Sequence, residues 1–415
     1  MKKYFILLMA MLALTLTGCK EIGKRPNILI VSGWQNLNVG DIAHTPGLLS
    51  ALKKNIPNAD LTVWIWKIDS TAPSVGAFIQ KYYPDVRIVM GDVNDDLTVS
   101  TKEVEDAMDA ADLMIHGSGP MILGDKHLAA FKKRTGKPYG IFGTTIQWTT
   151  SELTELLNGA KFIYTRETAS LDSLKSFGIN KPEIVRCVPD AVFALQMNDD
   201  KAAEDWLKAN NLEEKGYLCV IPRLRRTPYA HFAPEELAKI NHLNDSCKEM
   251  DHSKLREVMT QWVRQTKKKV VVCAEMTYQI PILDELLIDK LPDDVKPYVL
   301  KHEYWWPDEG ISFMRRAFAL VSIECHSVIM TLANGTPAFY VRQPEDTVKG
   351  QMYYDLGFGQ WVFEIDNVTG KQIADSLLEL YNNPQPGYDL IKKNITRATQ
   401  LIDAGAQDVK KLMNW

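Results

Sequence analysis

The sequence predicts an α/β protein made of two doubly wound domains that follow one another along the chain. Short runs of continuous apolar residues alternate with amphipathic stretches of helical length, which is typical of parallel strands covered by helices on both faces. The alternation is interrupted in a polar stretch, residues 196–215, and then restarts. A length of 415 residues also exceeds what one hydrophobic core usually serves.

The predicted first domain covers residues 26–200 and the second 213–385, with a C-terminal helical segment at 386–415. Strands are predicted in the first domain at 27–32, 61–66, 86–90, 112–116, 138–142, 162–165 and 183–187. Strands are predicted in the second at 217–221, 270–273, 298–301, 319–323, 336–341 and 361–365. Helices are predicted at 45–54, 74–83, 102–110, after residue 120 up to Arg134, and at 202–210, 253–265, 282–291, 308–316, 327–334, 370–381 and 388–412. Ligands of such sheets bind beyond the carboxyl ends of the strands, so the cleft between the domains is the expected site.

The composition is that of a folded protein without a strong preference for polyanions. Hydrophobic residues make up 46% and charged residues 24%, and the formal net charge is -4. These values exclude a mainly disordered chain and argue against a nucleic-acid partner. Apart from Cys19, the cysteines show no CxxC spacing and indicate buried small side chains, not a disulfide framework or metal site. They are Cys187, Cys219, Cys247, Cys273 and Cys325.

The first twenty residues have the layout of a bacterial lipoprotein signal. Lys2 and Lys3 precede an apolar run at 5–16, and small residues then lead to Cys19. We expect residues 1–18 to be removed as a signal peptide and the thiol of Cys19 to be lipidated. A lipid there would anchor the protein to a membrane without spanning it. The expected location is therefore the periplasmic face of a membrane, the outer membrane or the cell surface.

Candidate functional residues follow the predicted strand ends of the first domain. Asn38, Gly40 and Asp41 follow the first strand and lead into a helix, whose free backbone N–H groups can bind an anion. Asp41 is equally suited to be the N-cap of that helix. Residues 117–119, Gly-Ser-Gly, follow the fourth strand and form a second loop whose glycines would let a ligand come close to the backbone. The loop after the first strand lacks the GxGxxG motif, so the sequence does not support binding of a nicotinamide or flavin cofactor.

An arginine cluster follows the first strand of the second domain. Arg223, Arg225 and Arg226 could hold carboxylate or phosphate oxygens in bidentate pairs, or form a solvated basic loop. Trp305 and Trp306 could stack on a sugar ring or fill a wedge between the domains.

Glu324 and His326 stand where a later strand of the second domain ends and a helix begins. A helix N-terminus disfavours the charged imidazole and a neighbouring carboxylate favours it, so His326 is the most plausible acid–base histidine. No stretch of the sequence has metal-ligand spacing, and neither a GxSxG nor a Walker A motif is present. We therefore expect no metal or cofactor.

In their order along the chain, these residues resemble the polysaccharide pyruvyl transferase family over about residues 27–382. The matching segments are the N-x-G-D motif at 38–41, 117–119, Arg166-Glu167 with Gly178, 189–193, Arg223, 322–326, 335–337, Lys349 and 356–358. The resemblance implies two Rossmann-like domains of the glycosyltransferase-B type. It also implies transfer of the enolpyruvyl group of phosphoenolpyruvate onto a sugar as a ketal, without metal or nucleotide.

The resemblance also implies roles for single residues. Asp41 would lie in the cleft, Arg223 would hold the donor's phosphate or carboxylate, and His326 would be the general acid. The expected catalytic residues are His326, Glu324 and Asp41. The expected substrate-binding residues are Arg223, Arg225, Asn38, Gly40, Gly117, Ser118, Gly119 and Lys349.

Two features depart from the family pattern. Residues 324–326 read Glu-Cys-His where the family usually has Arg-Leu-His, so Glu324 places a negative charge beside the expected anion site. In addition, phosphoenolpyruvate is a cytoplasmic metabolite, whereas the signal predicts export. The alternative hypothesis is therefore an exported relative without transferase activity, which binds a glycan or uses Glu324 and His326 in another sugar reaction. In both hypotheses the partner is a carbohydrate, such as a surface polysaccharide.

Overall fold

A computed structural model describes residues 25–32, 35–66 and 72–415. The predicted signal peptide and the lipidation site Cys19 lie outside the described residues. Within these ranges, no helix combines the length and the apolar character needed to cross a membrane.

The first domain is built on a parallel sheet. Its strands are β1 Asn27–Val31, β2 Asp60–Ile65, β3 Arg87–Met90, β4 Leu113–His116, β5 Tyr139–Thr144, β6 Phe162–Thr165 and β7 Val185–Cys187. They lie in the order β3-β2-β1-β4-β5-β6-β7. The helices described between them are α1 Val39–Asn55, α2 Ala72–Tyr82, α3 Lys102–Ala110, α4 Asp125–Thr135, α5 Ser151–Gly159 and α6 Thr168–Ser176. Helix α7, Asp200–Ala209, leads to the second domain.

The second domain repeats this arrangement. Its strands are β8 Tyr217–Ile221, β9 Lys269–Ala274, β10 Val299–Tyr304, β11 Ala319–Ser322, β12 Ala338–Arg342 and β13 Val362–Glu364. All pair in parallel, in the order β10-β9-β8-β11-β12-β13. The helices are α8 Pro234–Thr266, α9 Pro307–Met314, α10 Cys325–Ala333, α11 Gln351–Leu356, α12 Gly370–Asn382 and α13 Gln385–Leu412. The predicted fold class, two doubly wound α/β domains, is confirmed.

Helices α5 and α11 were not predicted, and three other helical segments differ in detail from the sequence prediction. Helix α1 begins at Val39, because the side chain of Asn38 accepts hydrogen bonds from the backbone of Gly40 and Asp41 and caps the helix. The possible N-cap role of Asp41 was therefore wrong. Helix α8 has 33 residues and begins well before the predicted range 253–265. Its first half was not predicted because it is mostly exposed and lacks a strong apolar pattern. The predicted helix 282–291 is present as a helical segment over 280–290, in which α, π and 3₁₀ turns follow one another.

The two domains are joined by apolar packing and by the last helix. One cluster of buried side chains continues from the first sheet into the second, including Ile30 and Val220. Helix α13 returns to the first domain, where Asp403 accepts from Lys54 Nζ at 2.6 Å. Tyr82 of α2 donates its hydroxyl proton to Asp308 of α9 at 2.6 Å. These contacts hold the domains with their strand ends facing each other.

Candidate functional site

The cleft lies at the point in each sheet where the strand order reverses. In the first sheet the reversal falls between β1 and β4, and in the second between β8 and β11. Loops leaving neighbouring strands diverge at such a point and open a crevice for a ligand. The loops after β1, β8 and β11 line a cavity of about 220 Å³ that includes Asp41, Arg223, Glu324, His326 and Lys349.

The base of the cleft is a short backbone bridge between the domains. The backbone N–H of Val39 donates to Glu275 O at 3.0 Å, and that of Thr277 donates to Leu37 O at 3.0 Å. Asn38 and Met276 thereby pair as in an antiparallel sheet. The Asn38 side chain also lines the cavity, but its Oδ1 is engaged by the N–H groups of residues 40 and 41. Its main role in this structure is to fix the start of α1.

His326 crosses from the second domain to lie against Gly40 of the first. A Cβ added to Gly40 would lie 2.3 Å from His326 Nδ1, so only glycine leaves room for the ring. His326 is the second residue of α10, which places it at the helix N-terminus as the sequence predicts. The side chain is 7% exposed and lines the cavity.

His326 is the protonated member of a buried histidine pair. Its Nε2 lies 2.8 Å from Nε2 of His44 and 3.8 Å from Asp190 Oδ2, while its Nδ1 lies 3.7 Å from Glu275 Oε1. Burial alone would lower the pKa of His326, but Asp190 and Glu275 outweigh it and raise the pKa to about 10. Burial lowers the pKa of His44 to about 3, so His44 is neutral. The carboxylates that act on His326 are thus Asp190 and Glu275, not the adjacent Glu324.

Arg166 is a cleft residue that was not among the predicted site residues. It follows β6, and its guanidinium donates to Thr145 Oγ1 at 2.7 Å and to Asp190 Oδ2 at 2.8 Å. Its Nη2 is buried and has no hydrogen-bond partner among the residues that the structure describes. Because Arg166 also lines the cavity, this unpartnered N–H group is a possible donor to an anionic ligand. The sequence feature that could have identified Arg166 as a site residue is its position, in the Arg166-Glu167 pair, directly after a predicted strand.

The second domain contributes an alternating set of charges. Arg223 Nη1 lies 3.2 Å from Asp346 Oδ1, and Lys349 pairs with the same carboxylate. Glu324 Oε1 accepts from Gln279 Nε2 at 2.6 Å and lies 3.4 Å from Arg223 Nε. Burial raises the pKa of Glu324 to about 7, although Arg223 lowers it in part. Near neutral pH this carboxyl is therefore divided between its neutral and ionised forms.

Asp41 lies on the first-domain side of the cleft and is half-buried. Its carboxylate accepts a hydrogen bond from Gln35, whose amide also reaches Tyr229 Oη at 3.4 Å. Burial raises the pKa of Asp41, and the charge of His326 opposes that shift. A carboxylate with a raised pKa, beside a protonated imidazole, is suited to accept a proton from a hydroxyl group.

The substrate-binding prediction for Arg225 needs correction. Its guanidinium is buried and points away from the cavity toward Asp251, with contacts of 2.7 and 2.8 Å, and toward Asp366, at 2.5 and 3.2 Å. Because both carboxylates hold it in bidentate geometry, Arg225 fixes the loop after β8 instead of facing a ligand. Arg226, which is exposed, lines the cavity in its place.

The loop at 117–119 lies behind the cavity wall. Gly117, Ser118 and Gly119 are buried, and only the next residue, Pro120, lines the cavity. Gly117 O accepts from Thr144 Oγ1 at 2.7 Å. The structure therefore gives these three residues a packing role next to the site and does not bring them to the cavity surface.

Two further predictions concern tryptophans and metal ligands. Trp305 is fully buried, and Trp306 packs on Phe78 of the first domain with ring centroids 4.8 Å apart, as expected for a wedge between domains. Although the sequence shows no metal-ligand spacing, the fold brings His44, Asp190 and His326 within 4.8 Å of one another, a set that could hold a metal ion.

The chain has two parallel-sheet α/β domains around a cleft, a fold similar to that of glycosyltransferase-B structures. The UDP-GlcNAc 2-epimerase from Neisseria meningitidis, bound to UDP-GlcNAc, matches with a TM-score of 0.54 and 11% identity, covering 91% of this chain and 98% of that one. Alr3699/HepE from Anabaena, in complex with UDP-glucose, matches with a TM-score of 0.56 and 11% identity, covering 94% and 100%. The E. coli ADP-heptose LPS heptosyltransferase II matches with a TM-score of 0.50 and 12% identity, covering 86% and 99%.

The sequence model of one family matches residues 38–343, more than half of the chain: "Polysaccharide pyruvyl transferase". The protein belongs to this family. No curated protein sequence matches it significantly. Family and fold together support a role in polysaccharide modification with a carbohydrate acceptor.

Proposed function

We propose that the protein transfers the pyruvyl group of phosphoenolpyruvate to a sugar of a polysaccharide, where it forms a ketal. The observation that supports this most is the convergence of Arg166, Arg223, Lys349 and protonated His326 on one cavity of about 220 Å³. A small donor with a carboxylate and a phosphate needs several cations at short range.

The donor would lie between Arg166 and the second domain's cations. Arg166 offers its unpartnered Nη2, while Arg223 and Lys349 share Asp346 as their acidic partner. An incoming phosphate therefore competes with Asp346 for both side chains and, when Glu324 is ionised, with Glu324 for Arg223. As the bond from carbon to the phosphate oxygen breaks, the same cations stabilise the charge on the leaving phosphate.

His326 would supply the proton that starts the reaction. Its Nδ1 faces Glu275 Oε1 at 3.7 Å, an ion-pair contact longer than an ordinary hydrogen bond. Transfer of this proton to the methylene carbon of the donor forms a C–H bond and an oxocarbenium-like centre. Two sugar hydroxyls add to that centre and phosphate leaves. Asp41 accepts one hydroxyl proton, and its transfer to His326 Nδ1 restores the acid; the second hydroxyl proton leaves with the phosphate.

The acceptor sugar would lie toward the aromatic side of the cavity. Tyr229 and Phe232, from the loop after β8, line the cavity on that side. Both rings can pack against the C–H face of a sugar, and the hydroxyl of Tyr229 can bond to a sugar hydroxyl.

Calorimetric titration with phosphoenolpyruvate tests the donor assignment. We expect millimolar or tighter binding, and at least tenfold weaker binding for Arg223→Gln, because one anion contact is lost. The matched control is Arg134→Gln, an arginine on the surface of α4 that pairs with Asp109. UDP serves as a competing ligand, because the structurally similar Alr3699/HepE from Anabaena was also solved in complex with UDP. The proposal fails if phosphoenolpyruvate does not bind while a glycan does.

A second candidate, a relative without transferase activity that binds a glycan or performs another sugar reaction, is favoured by Glu324. Its carboxylate lies 3.4 Å from Arg223 Nε and occupies the edge of the guanidinium that would otherwise face a donor. This candidate predicts binding of anionic or pyruvylated glycans in the same titration without binding of phosphoenolpyruvate.

We also propose that the protein is exported and anchored through lipid on Cys19. Membrane fractionation of cells that express the full chain or Cys19→Ser tests this. We expect the substitution to abolish lipid labelling and to move the protein out of the membrane fraction. An unlabelled wild-type protein would contradict the proposal.

A further inference from the structure

His44 is a buried histidine that the proposed reaction does not use directly. It lies in α1, one turn after Gly40, and belongs to the first domain, whereas its partner His326 belongs to the second. We propose that His44 is a positioning residue: its Nε2 accepts the Nε2 proton of His326 and leaves the Nδ1 proton of His326 for the ligand. This inference rests on the proposed role of His326 as the proton donor.

The geometry of the pair is that of a hydrogen bond between two imidazole nitrogens. The Nε2 atoms are 2.8 Å apart, and the rings meet edge to face at an interplanar angle of 72°. A bond of this kind needs one donor and one acceptor, so a single proton lies on the line between the nitrogens. His44 and His326 are both buried, which keeps water from replacing either partner.

The surrounding charges set which ring carries the extra proton. Asp190 and Glu275 bring two negative charges to the pair, and Arg166 brings one positive charge, through its contact with Asp190. A protonated His326 lies against Asp190 and Glu275, whereas a second proton on His44 would place two cations 2.8 Å apart. Glu275 lies on the side of His326 and not of His44, which favours His326 as the cation.

The other charged groups near the two histidines do not change which ring carries the extra proton. Asp190 Oδ2 lies 3.6 Å from His44 Nε2, close to the middle of the pair. Lys349 and Asp41 approach from the cavity side; Lys349 acts on His44 and Asp41 interacts with His326, with opposite charges.

Fixing the Nε2 proton has a consequence for the other nitrogen. The ring of His326 cannot rotate about its Cβ–Cγ bond without breaking the bond to His44, so Nδ1 stays beside Gly40 at the cleft. When Nδ1 gives up its proton, His326 remains as the neutral tautomer with hydrogen on Nε2, still bonded to His44. The pair therefore holds both the orientation and the tautomer that the transfer needs, as the orienting third group does in catalytic triads.

A bound metal ion is the competing explanation for these side chains, because His44, Asp190 and His326 could hold one. Two observations favour the proton. The separation of 2.8 Å is short for two ligands of a tetrahedral zinc ion, whose nitrogens lie about 3.3 Å apart with bonds near 2.0 Å. Arg166 Nη1 also lies 2.8 Å from the same oxygen of Asp190, where it would repel a cation.

Two substitutions of His44 separate positioning from mere packing. In His44→Gln the side-chain carbonyl can still accept the Nε2 proton, whereas in His44→Leu no acceptor remains. We expect kcat to fall about 10²-fold in His44→Leu and less than tenfold in His44→Gln, with KM for phosphoenolpyruvate changed little in either. Equal losses in both variants, or unchanged kcat in His44→Leu, would overturn the proposal.

A measurement without substrate keeps this test separate from the proposed function. In protein labelled with ¹⁵N-histidine, we expect a scalar coupling between the two Nε2 nuclei that disappears in His44→Leu while the fold, monitored by circular dichroism, is retained. Absence of that coupling in the wild-type protein overturns the inference, whatever the reaction is. So does stoichiometric zinc in the purified protein that is lost in His44→Leu, since a metal centre would then explain the pair.

Discussion

Replacing Glu324 by glutamine tests the electrostatics of the cleft through protein stability. Glu324 is 3% exposed, and burial raises its pKa from 4.5 to about 7, with Arg223 opposing part of the shift. In the unfolded chain the same carboxyl has its ordinary pKa. The folded protein therefore binds this proton more tightly than the unfolded chain does. Glutamine keeps an oxygen that can accept from Gln279 but cannot titrate.

The sign and the size of the effect follow from that difference. Because the folded-state pKa is the higher one, the stabilising contribution is complete below pH 4.5 and is lost as the pH rises through 7. The shift corresponds to about 3 kcal/mol of unfolding free energy. We therefore expect Glu324→Gln to gain about 3 kcal/mol relative to the wild-type protein between pH 4.5 and pH 8.

Urea denaturation at several pH values, followed by tryptophan fluorescence, measures this difference directly. The matched control is Glu345→Gln, an acid that also lines the cavity and lies 3.4 Å from Arg225 Nη1, but whose side chain is 22% exposed. The control should follow the wild-type pH profile. If the profiles of Glu324→Gln and the wild-type protein run parallel, Glu324 is ionised throughout the range, and the argument from its burial is wrong.

Three further outcomes follow from the same contacts. Affinity for phosphoenolpyruvate should fall about tenfold or more from pH 6 to pH 8 as Glu324 ionises, and calorimetry of Glu324→Gln should show no such fall. Arg225→Met should lower the free energy of unfolding by about 3 kcal/mol or more, because Asp251 is left buried without its cation, and urea denaturation measures this. Gly40→Ala should reduce kcat at least tenfold, because the new methyl group would lie 2.3 Å from His326 Nδ1; unchanged kcat would show that the ring can move freely.

The sheets could be predicted from the sequence because their strands are buried on both faces. A strand such as β8, with all of its residues buried, appears as a continuous apolar run that a surface strand would not show. Helix α8 was predicted only in part, since its exposed first half has no apolar stripe to mark it. The start of α1 was missed because the capping role belongs to Asn38, and the sequence offers Asp41 as an equally suitable cap.

The cleft residues were predictable where they directly follow a strand, and less so where the contact depends on tertiary packing. Arg223 and His326 both follow strand ends and line the cavity. His44 is inside a helix, and nothing local shows that the opposite domain will place a histidine 2.8 Å from it. Arg225 and Arg226 are neighbours with the same chemistry, and only the positions of Asp251 and Asp366 decide which of them faces away from the cavity.

Glu324 decides between the two candidate functions because its charge depends on pH. In its neutral form it can donate a hydrogen bond to an anionic donor, and Arg223 then keeps its full charge for that donor. In its ionised form it competes for Arg223 at 3.4 Å and repels a phosphate. A pKa of about 7 makes both forms accessible near neutral pH. The departure from the family's usual arginine is therefore compatible with pyruvyl transfer at mildly acidic pH, and with glycan binding without a donor at higher pH.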